Sequence, residues 1–200
     1  MIIIGLTGSI GMGKSAVAAM FVRAGVPLFD ADAAVHRLQS PGGALLPAIE
    51  ARFPGVTSAN GVDRQKLGAA VFGKPEALRA LEAIIHPAVA ALRRDFLRRH
   101  RSRPLVVLDI PLLFEKRGWK AVDVILVVSA PAWKQRQRVL KRPGMSASKF
   151  ARIKHLQTPD AQKRKRADIV INTGCQLTTT NAAVRQVIAC LTAKTGRYSY

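Results

Sequence analysis

Eight consecutive residues, Gly8-Ser9-Ile10-Gly11-Met12-Gly13-Lys14-Ser15, carry the most chemically pointed spacing in the chain. They match G-x4-G-K-[ST], a loop that holds phosphate when a strand precedes it and a helix follows. Each position has its own physical reason. Gly8, Gly11 and Gly13 let the backbone turn tightly and bring N–H groups against phosphate oxygens. A helix starting at Lys14–Ser15 points its positive dipole end at the same anion. Lys14 reaches the β- and γ-phosphates, and the Ser15 hydroxyl is a ligand for Mg²⁺. Such a loop specifies a nucleoside triphosphate and leaves the acceptor open.

Acidic and basic residues elsewhere suggest the rest of a phosphoryl-transfer site. Asp30 and Asp32 follow an apolar run, and in extended chain they point the same way. A carboxylate beside a γ-phosphate accepts a hydroxyl proton and orients the oxygen for attack. Asp32 can equally cap a helix starting near Ala33, and the two roles are compatible. The run Leu105–Leu108 ends in Asp109, which reads as a Walker-B carboxylate and a candidate Mg²⁺ partner. Arg64, and Arg138 with Arg142 four residues apart on an expected helix face, suit phosphate oxygens or stay as solvated surface charge. Lys163-Arg164-Lys165-Arg166 reads as solvated charge. His86, before Pro87, reads on local sequence as a structural histidine.

These residues need a scaffold, and the apolar runs supply one. Ile2–Leu6, Val26–Phe29, Leu105–Leu108, Val122–Val128 and Ile169–Ile171 are nearly continuous rather than alternating. That is the pattern of strands buried on both faces of a parallel sheet. Helices are expected at Ser15–Ala24, stopped by Gly25, at Leu78–His100, and at Thr178–Thr192. Pro87 should kink or split the second. Strand and helix alternate as in an open α/β sheet. Residues 33–100 and 133–166 are too long for simple crossovers and read as insertions. The second holds 12 basic residues, the single acid Asp160 and a mobile-looking turn at Arg142-Pro143-Gly144. The tail Gly196–Tyr200 should fray.

Composition bounds the partners. The 200 residues hold 32 Lys and Arg against 12 Asp and Glu, a net charge of +20. Residues 93–166 alone account for 21 basic and 5 acidic side chains. A polyanion partner follows. No apolar run approaches the roughly 18–20 residues of a membrane span, so no membrane partner is expected. The N-terminus lacks a basic secretory n-region. Cys175 and Cys190 lack metal-ligand spacing and read as reduced thiols, which points to the cytoplasm. Aromatic residues are only 6% of the chain, against a nucleic-acid-stacking surface. No specific nucleic acid is expected, and a monomer is the favoured state.

The order of the motifs resembles the dephospho-CoA kinase family over nearly the full length. The carriers are the loop from Leu6 to Ser15; Asp30-Ala31-Asp32; Pro41-Gly42; Gly61-Val62-Asp63-Arg64; Leu81 to Pro87; Asp109-Ile110-Pro111-Leu112-Leu113-Phe114-Glu115; Gln135 with Arg138 and Arg142; Arg152-Ile153 with Gln157; and Ala167-Asp168 with Asn172-Thr173-Gly174. The resemblance implies a P-loop NTPase fold, three layers α/β/α around a five-stranded parallel sheet. It implies a nucleotide core at 1–32, 101–132 and 167–200, a helical acceptor-binding insertion at 33–100 and a basic lid at 133–166. It implies that ATP, with Mg²⁺, phosphorylates the 3′-hydroxyl of the ribose of dephospho-CoA in the last step of coenzyme A biosynthesis. By family pattern Asp32 is the base, with Lys14 as its catalytic partner. Arg64, His86, Pro87 and Leu112 fall on the acceptor side, and Ala16, Arg138, Arg142 and Asn172 on the nucleotide side. Ser9 and Met12 stand where the family commonly has Gly and Ser, and Ala16 where Thr is usual. A related kinase acting on another small nucleotide, or a nucleic-acid-dependent NTPase, remains the alternative.

Overall fold

The computed structural model describes residues 1–196. They form two compact units: residues 1–29 with the chain from His100 onward, and residues 30–99. In chain order the first unit begins with β1 (Ile2–Thr7), α1 (Lys14–Arg23) and β2 (Leu28–Asp30). The second holds α2 (Ala31–Gln39), α3 (Leu46–Arg52), β3 (Thr57–Ser58), β4 (Gly61–Val62), α4 (Arg64–Val71) and α5 (Pro75–Arg99). The first resumes with β5 (Leu105–Asp109), a 3₁₀ turn (Gly118–Ala121), β6 (Val124–Ser129), α6 (Ala132–Leu140), α7 (Ala147–His155), α8 (Asp160–Lys165), β7 (Ile169–Asn172) and α9 (Leu177–Gly196).

The five long strands form one parallel sheet in the order β2-β5-β1-β6-β7. In the centre, Ile4 of β1 pairs with Val107 of β5 and Val124 of β6. Apolar side chains fill both faces, which is why these strands read as unbroken runs: Val106, Val107 and Leu108 are fully buried. Val17 and Phe21 of α1, with Val184 and Leu191 of α9, join Ile4, Leu6 and Leu126 in one core. Because the chain passes from β1 to β2 and β5 on one side and then crosses to β6 and β7 on the other, the carboxyl end of β1 lies where the topology switches direction, the usual place for a ligand in such sheets. The strands reach one residue further than the apolar runs at that edge, to Thr7, Asp109, Ser129 and Asn172. β2 starts two residues late: Pro27 has no N–H to give the ladder, and only its carbonyl takes part, accepting the Val107 N–H.

The second unit has its own core, in which Leu38, Ile49, Phe53, Leu67 and Leu81 are buried together. The carboxylate of Glu50 takes the N–H groups of Gly55 (2.6 Å) and Thr57 (2.9 Å) and the Thr57 hydroxyl (2.6 Å). The hydroxyl of Thr57 and then the Gly55 N–H hold Glu50 below the usual carboxylate range. Pro87 does not split α5, which runs unbroken from Pro75 to Arg99. Pro87 costs the helix one bond, to the carbonyl of exposed Ala83, where water can serve it. On the other face Ile84, Ile85, Ala88 and Val89 continue packing on the core through the proline.

Gly196, the first residue of the tail expected to fray, closes α9; residues 197–200 lie outside the described residues. Among the described residues no helix is long and apolar enough to cross a membrane. Cys175 and Cys190 are free thiols.

Candidate active site

The ladder of β1 delivers Gly8 to the carboxyl edge of the sheet, and α1 begins six residues later. The turn between them uses positive φ at Gly11 (76°) and Gly13 (85°). At Gly11 a Cβ would stand 2.4 Å from the Val139 methyl, so both conformation and space demand glycine. Among the described residues no protein acceptor takes the N–H groups of Gly11, Gly13, Lys14 or Ser15. Four unsatisfied donors at a helix start form a nest for an anion. The Lys14 ammonium is ion-paired with Oδ1 of Asp109, the last residue of β5 and nearly fully buried. The Ser15 hydroxyl is exposed.

The loop is fastened from behind by groups far away in sequence. Gln135 of α6, 2% exposed, donates from Nε2 to the Ile10 carbonyl at 2.8 Å. Gln157, between α7 and α8, accepts the Ile10 N–H at 3.0 Å. The Thr173 hydroxyl donates to the Met12 carbonyl at 2.7 Å. Met12 is buried, and its sulfur receives the Ala130 N–H at 3.2 Å, so the residue at this variable position anchors the loop.

Of the two arginines expected on the nucleotide side, Arg138 is half-buried and donates to the Thr173 carbonyl (2.7 Å) and hydroxyl (3.3 Å). Arg142 is exposed and lies beyond the end of α6, so the two do not share a helix face. Asn172 ends β7, and its Oδ1 accepts the Gly174 N–H at 2.8 Å. It also lines a cavity of about 660 Å³ at the carboxyl ends of β6 and β7, with Met12, Gln135, Asp160 and Arg164. Gly8 and Ser9 are buried, and Ala16 is exposed beside Ser15.

Asp30 and Asp32 do not lie along one extended strand face. Asp30 is the N-cap of α2, its carboxylate accepting the Ala33 N–H at 2.9 Å, and Asp32 falls in the first helical turn. The helix therefore starts two residues earlier than expected, and the cap is Asp30, not Asp32. Asp63 caps α4 in the same way, which leaves Arg64 as its first residue. Asp32 and Arg64, both exposed, line one cavity of about 580 Å³ with His36, Arg37 and Ser40. The sequence reading missed His36 and Arg37; the signal that could have found His36 is its i,i+4 spacing from Asp32 on α2. His86 and Pro87 are exposed on α5 and do not line that cavity; Leu112 belongs to the other unit, in the turn after β5.

The basic run of α8 is not all solvated. Lys163 is fully buried, its Nζ 3.0 Å from Oε1 of Glu115. The same oxygen accepts the Thr158 N–H at 2.7 Å. Burial pushes the Glu115 carboxyl up, but the Thr158 N–H, its own N–H and the Lys163 ammonium outweigh it and hold Glu115 below the ordinary range. Arg166 stacks over Phe114 (4.5 Å) and Trp119 (5.5 Å). A lysine inside a charge run gives no sequence sign that its partner is 48 residues upstream.

Comparison with known proteins agrees with this architecture. A family model described as dephospho-CoA kinase matches residues 2–178. The dephospho-CoA kinase of Novosphingobium aromaticivorans is 61% identical over 98% of this chain and 97% of its own. That of Zymomonas mobilis is 52% identical over 98% of this chain and its entire length. The crystal structure of TT1252 from Thermus thermophilus superposes with a TM-score of 0.83 at 38% identity, covering 95% and 97% of the two chains. An Acinetobacter baumannii shikimate kinase, at 17% identity and a TM-score of 0.52 over 97% and 94%, shares the fold. From the phosphate loop through to α9, the chain belongs to the dephospho-CoA kinase family.

Proposed function

We propose that this chain transfers the γ-phosphoryl group of ATP to the 3′-hydroxyl of the ribose of dephospho-CoA, releasing coenzyme A and ADP. The observation that carries the reading is the anion nest: four unsatisfied N–H groups from Gly11 to Ser15 beside the Lys14 ammonium. Membership of the family supplies the acceptor.

On this reading the loop N–H groups bind the β-phosphate and Lys14 bridges toward the γ-phosphate, neutralising charge as the bond to the leaving oxygen lengthens. Asp32 accepts the ribose hydroxyl proton, and Arg64, in the same cavity, pairs with an acceptor phosphate. His86, Pro87 and Leu112 remain on the acceptor side by family pattern. Arg138 and Arg142 serve the nucleotide, with segment 133–166 as a basic lid that excludes water. Among the described residues no three His, Cys, Asp or Glu side chains could hold a metal ion. Mg²⁺ asks for less, since it is usually held by one or two carboxylates with substrate phosphates and water. The all-oxygen pair of the exposed Ser15 hydroxyl and the Asp109 carboxylate fits it. When bound with the nucleotide, Mg²⁺ supplies charge neutralisation on the phosphates. Cytoplasmic location and a monomeric state complete the reading.

The test is ADP release with dephospho-CoA, AMP and adenosine assayed side by side, with and without Mg²⁺. Turnover should depend on dephospho-CoA and on the metal. Turnover with AMP or adenosine alone, or only with nucleic acid, would assign another acceptor.

A further inference from the structure

Ile10 is gripped on both sides of its α-carbon, through the peptide that precedes it and the peptide that follows it. Its carbonyl receives the Gln135 side-chain N–H, and its own N–H goes to the Gln157 side-chain carbonyl, at 2.8 and 3.0 Å. Ile10 is one residue ahead of Gly11, where the chain enters its positive-φ turn. Gln157 therefore fixes the Ser9–Ile10 peptide, at which the chain enters the loop, and Gln135 fixes the Ile10–Gly11 peptide, which carries the first N–H of the nest. If the Ile10–Gly11 peptide flipped about its two flanking dihedrals, its carbonyl would replace the Gly11 N–H in the nest.

Gln157 lies in the turn between α7, which ends at His155, and α8, which starts at Asp160. Its backbone N–H goes to the Lys154 carbonyl at the end of α7 (3.2 Å), and the turn is also held from its C-terminal side. Glu115 accepts the Thr158 N–H and pairs with buried Lys163, so one carboxylate pins both sides of the segment after Gln157. Glu115 lies six residues beyond Asp109, the partner of Lys14. The connection from Glu115 through Thr158 and Gln157 to Ile10 thus joins three parts of the first unit: the turn after β5, the basic helical segment and the phosphate loop.

We propose that Gln157 is a positioning residue for nucleotide binding, acting with Gln135 on the two peptides that flank the Ile10 α-carbon. It couples docking of the basic segment to the curvature of the loop. The KM part of the test rests on the kinase reading above; the exchange part does not.

The experiment uses the full chain. Amide hydrogen exchange at Ile10 is followed by NMR in the wild type, Gln157→Ala and Gln157→Glu. The wild type should protect this amide, Gln157→Ala should expose it, and Gln157→Glu, which keeps an acceptor oxygen in reach, should restore protection. KM for ATP should rise about tenfold in Gln157→Ala, the scale of one part-buried donor left without its acceptor, with KM for dephospho-CoA unchanged. Adding Gln135→Leu should raise KM by less than the product of the single effects, because both hold the same residue of the loop. Equal Ile10 exchange in wild type and Gln157→Ala overturns the proposal, as does an unchanged KM for ATP in an active enzyme. Wild-type protection without kinase turnover would instead leave the clamp standing and remove the acceptor assignment.

Discussion

Lys14 is ion-paired with Asp109, so the cation of the phosphate loop and the carboxylate that ends β5 occupy one polar site at the sheet's carboxyl edge. The pair explains how a nearly buried carboxylate is tolerated in a strand whose other four residues are apolar and buried. Asp109→Asn should lower kcat by about 10²-fold or more, the scale of a lost preorganised electrostatic contact, with a smaller change in thermal stability. Steady-state kinetics beside a melting curve decides it; full activity in Asp109→Asn would remove this residue from the site.

Asp32 and Arg64 share a cavity but are assigned different work. Asp32→Asn should leave ADP binding intact and lower kcat by about 10²-fold, the usual scale of a general base. Arg64→Ala should instead raise KM for dephospho-CoA by about tenfold, the scale of one charge-assisted contact, with little change in KM for ATP. Calorimetric ADP binding and two-substrate kinetics separate these outcomes. Equal loss of ATP binding in both variants would contradict the division.

Glu115 and Lys163 form the buried ion pair beneath the basic segment. Replacing Glu115 by Gln strands a buried ammonium and should cost about 3 kcal/mol in urea unfolding. The double variant Glu115→Gln/Lys163→Met should recover much of that, because no charge is left buried. The folded state also keeps Glu115 ionised below 4.5, the value at which a free glutamate side chain titrates. The folded chain therefore binds fewer protons at this site than the unfolded chain. Its stability contribution is complete above that pH and is lost as pH falls through the depressed value. The wild type should lose more stability than Glu115→Gln between pH 5 and pH 3 in matched melts, an interval that brackets that value; parallel losses would contradict the assignment.

The phosphate loop was legible because its requirements are local: positive φ at Gly11 and Gly13, a strand before and a helix after. The five-stranded sheet was legible because burial on both faces leaves unbroken apolar runs. What escaped is carried by long-range side-chain pairs. Gln157 contacts Ile10 from 147 positions away, and Lys163 looks like its solvated neighbours until Glu115 is seen beneath it. Asp30 and Asp32 were separated only by helix register, since either aspartate suits a cap and the backbone alone decides which one does. Pro87 is a helix breaker by rule, yet the apolar stripe on both sides of it continues through. His36 shares the cavity with Asp32 because the two stand four residues apart on α2, a spacing that became visible only once the helix was known to begin at Ala31.

The central claim is transfer from ATP to the 3′-hydroxyl of dephospho-CoA, with Asp32 taking the proton. The most direct measurement follows a labelled γ-phosphoryl group by mass spectrometry and NMR of the quenched product, for the wild type and Asp32→Asn. The wild type should place the label on the 3′ oxygen of the ribose, giving a product one phosphoryl group heavier, and Asp32→Asn should do so about 10²-fold more slowly. Label found only in inorganic phosphate, or on another oxygen of the acceptor, would contradict the account.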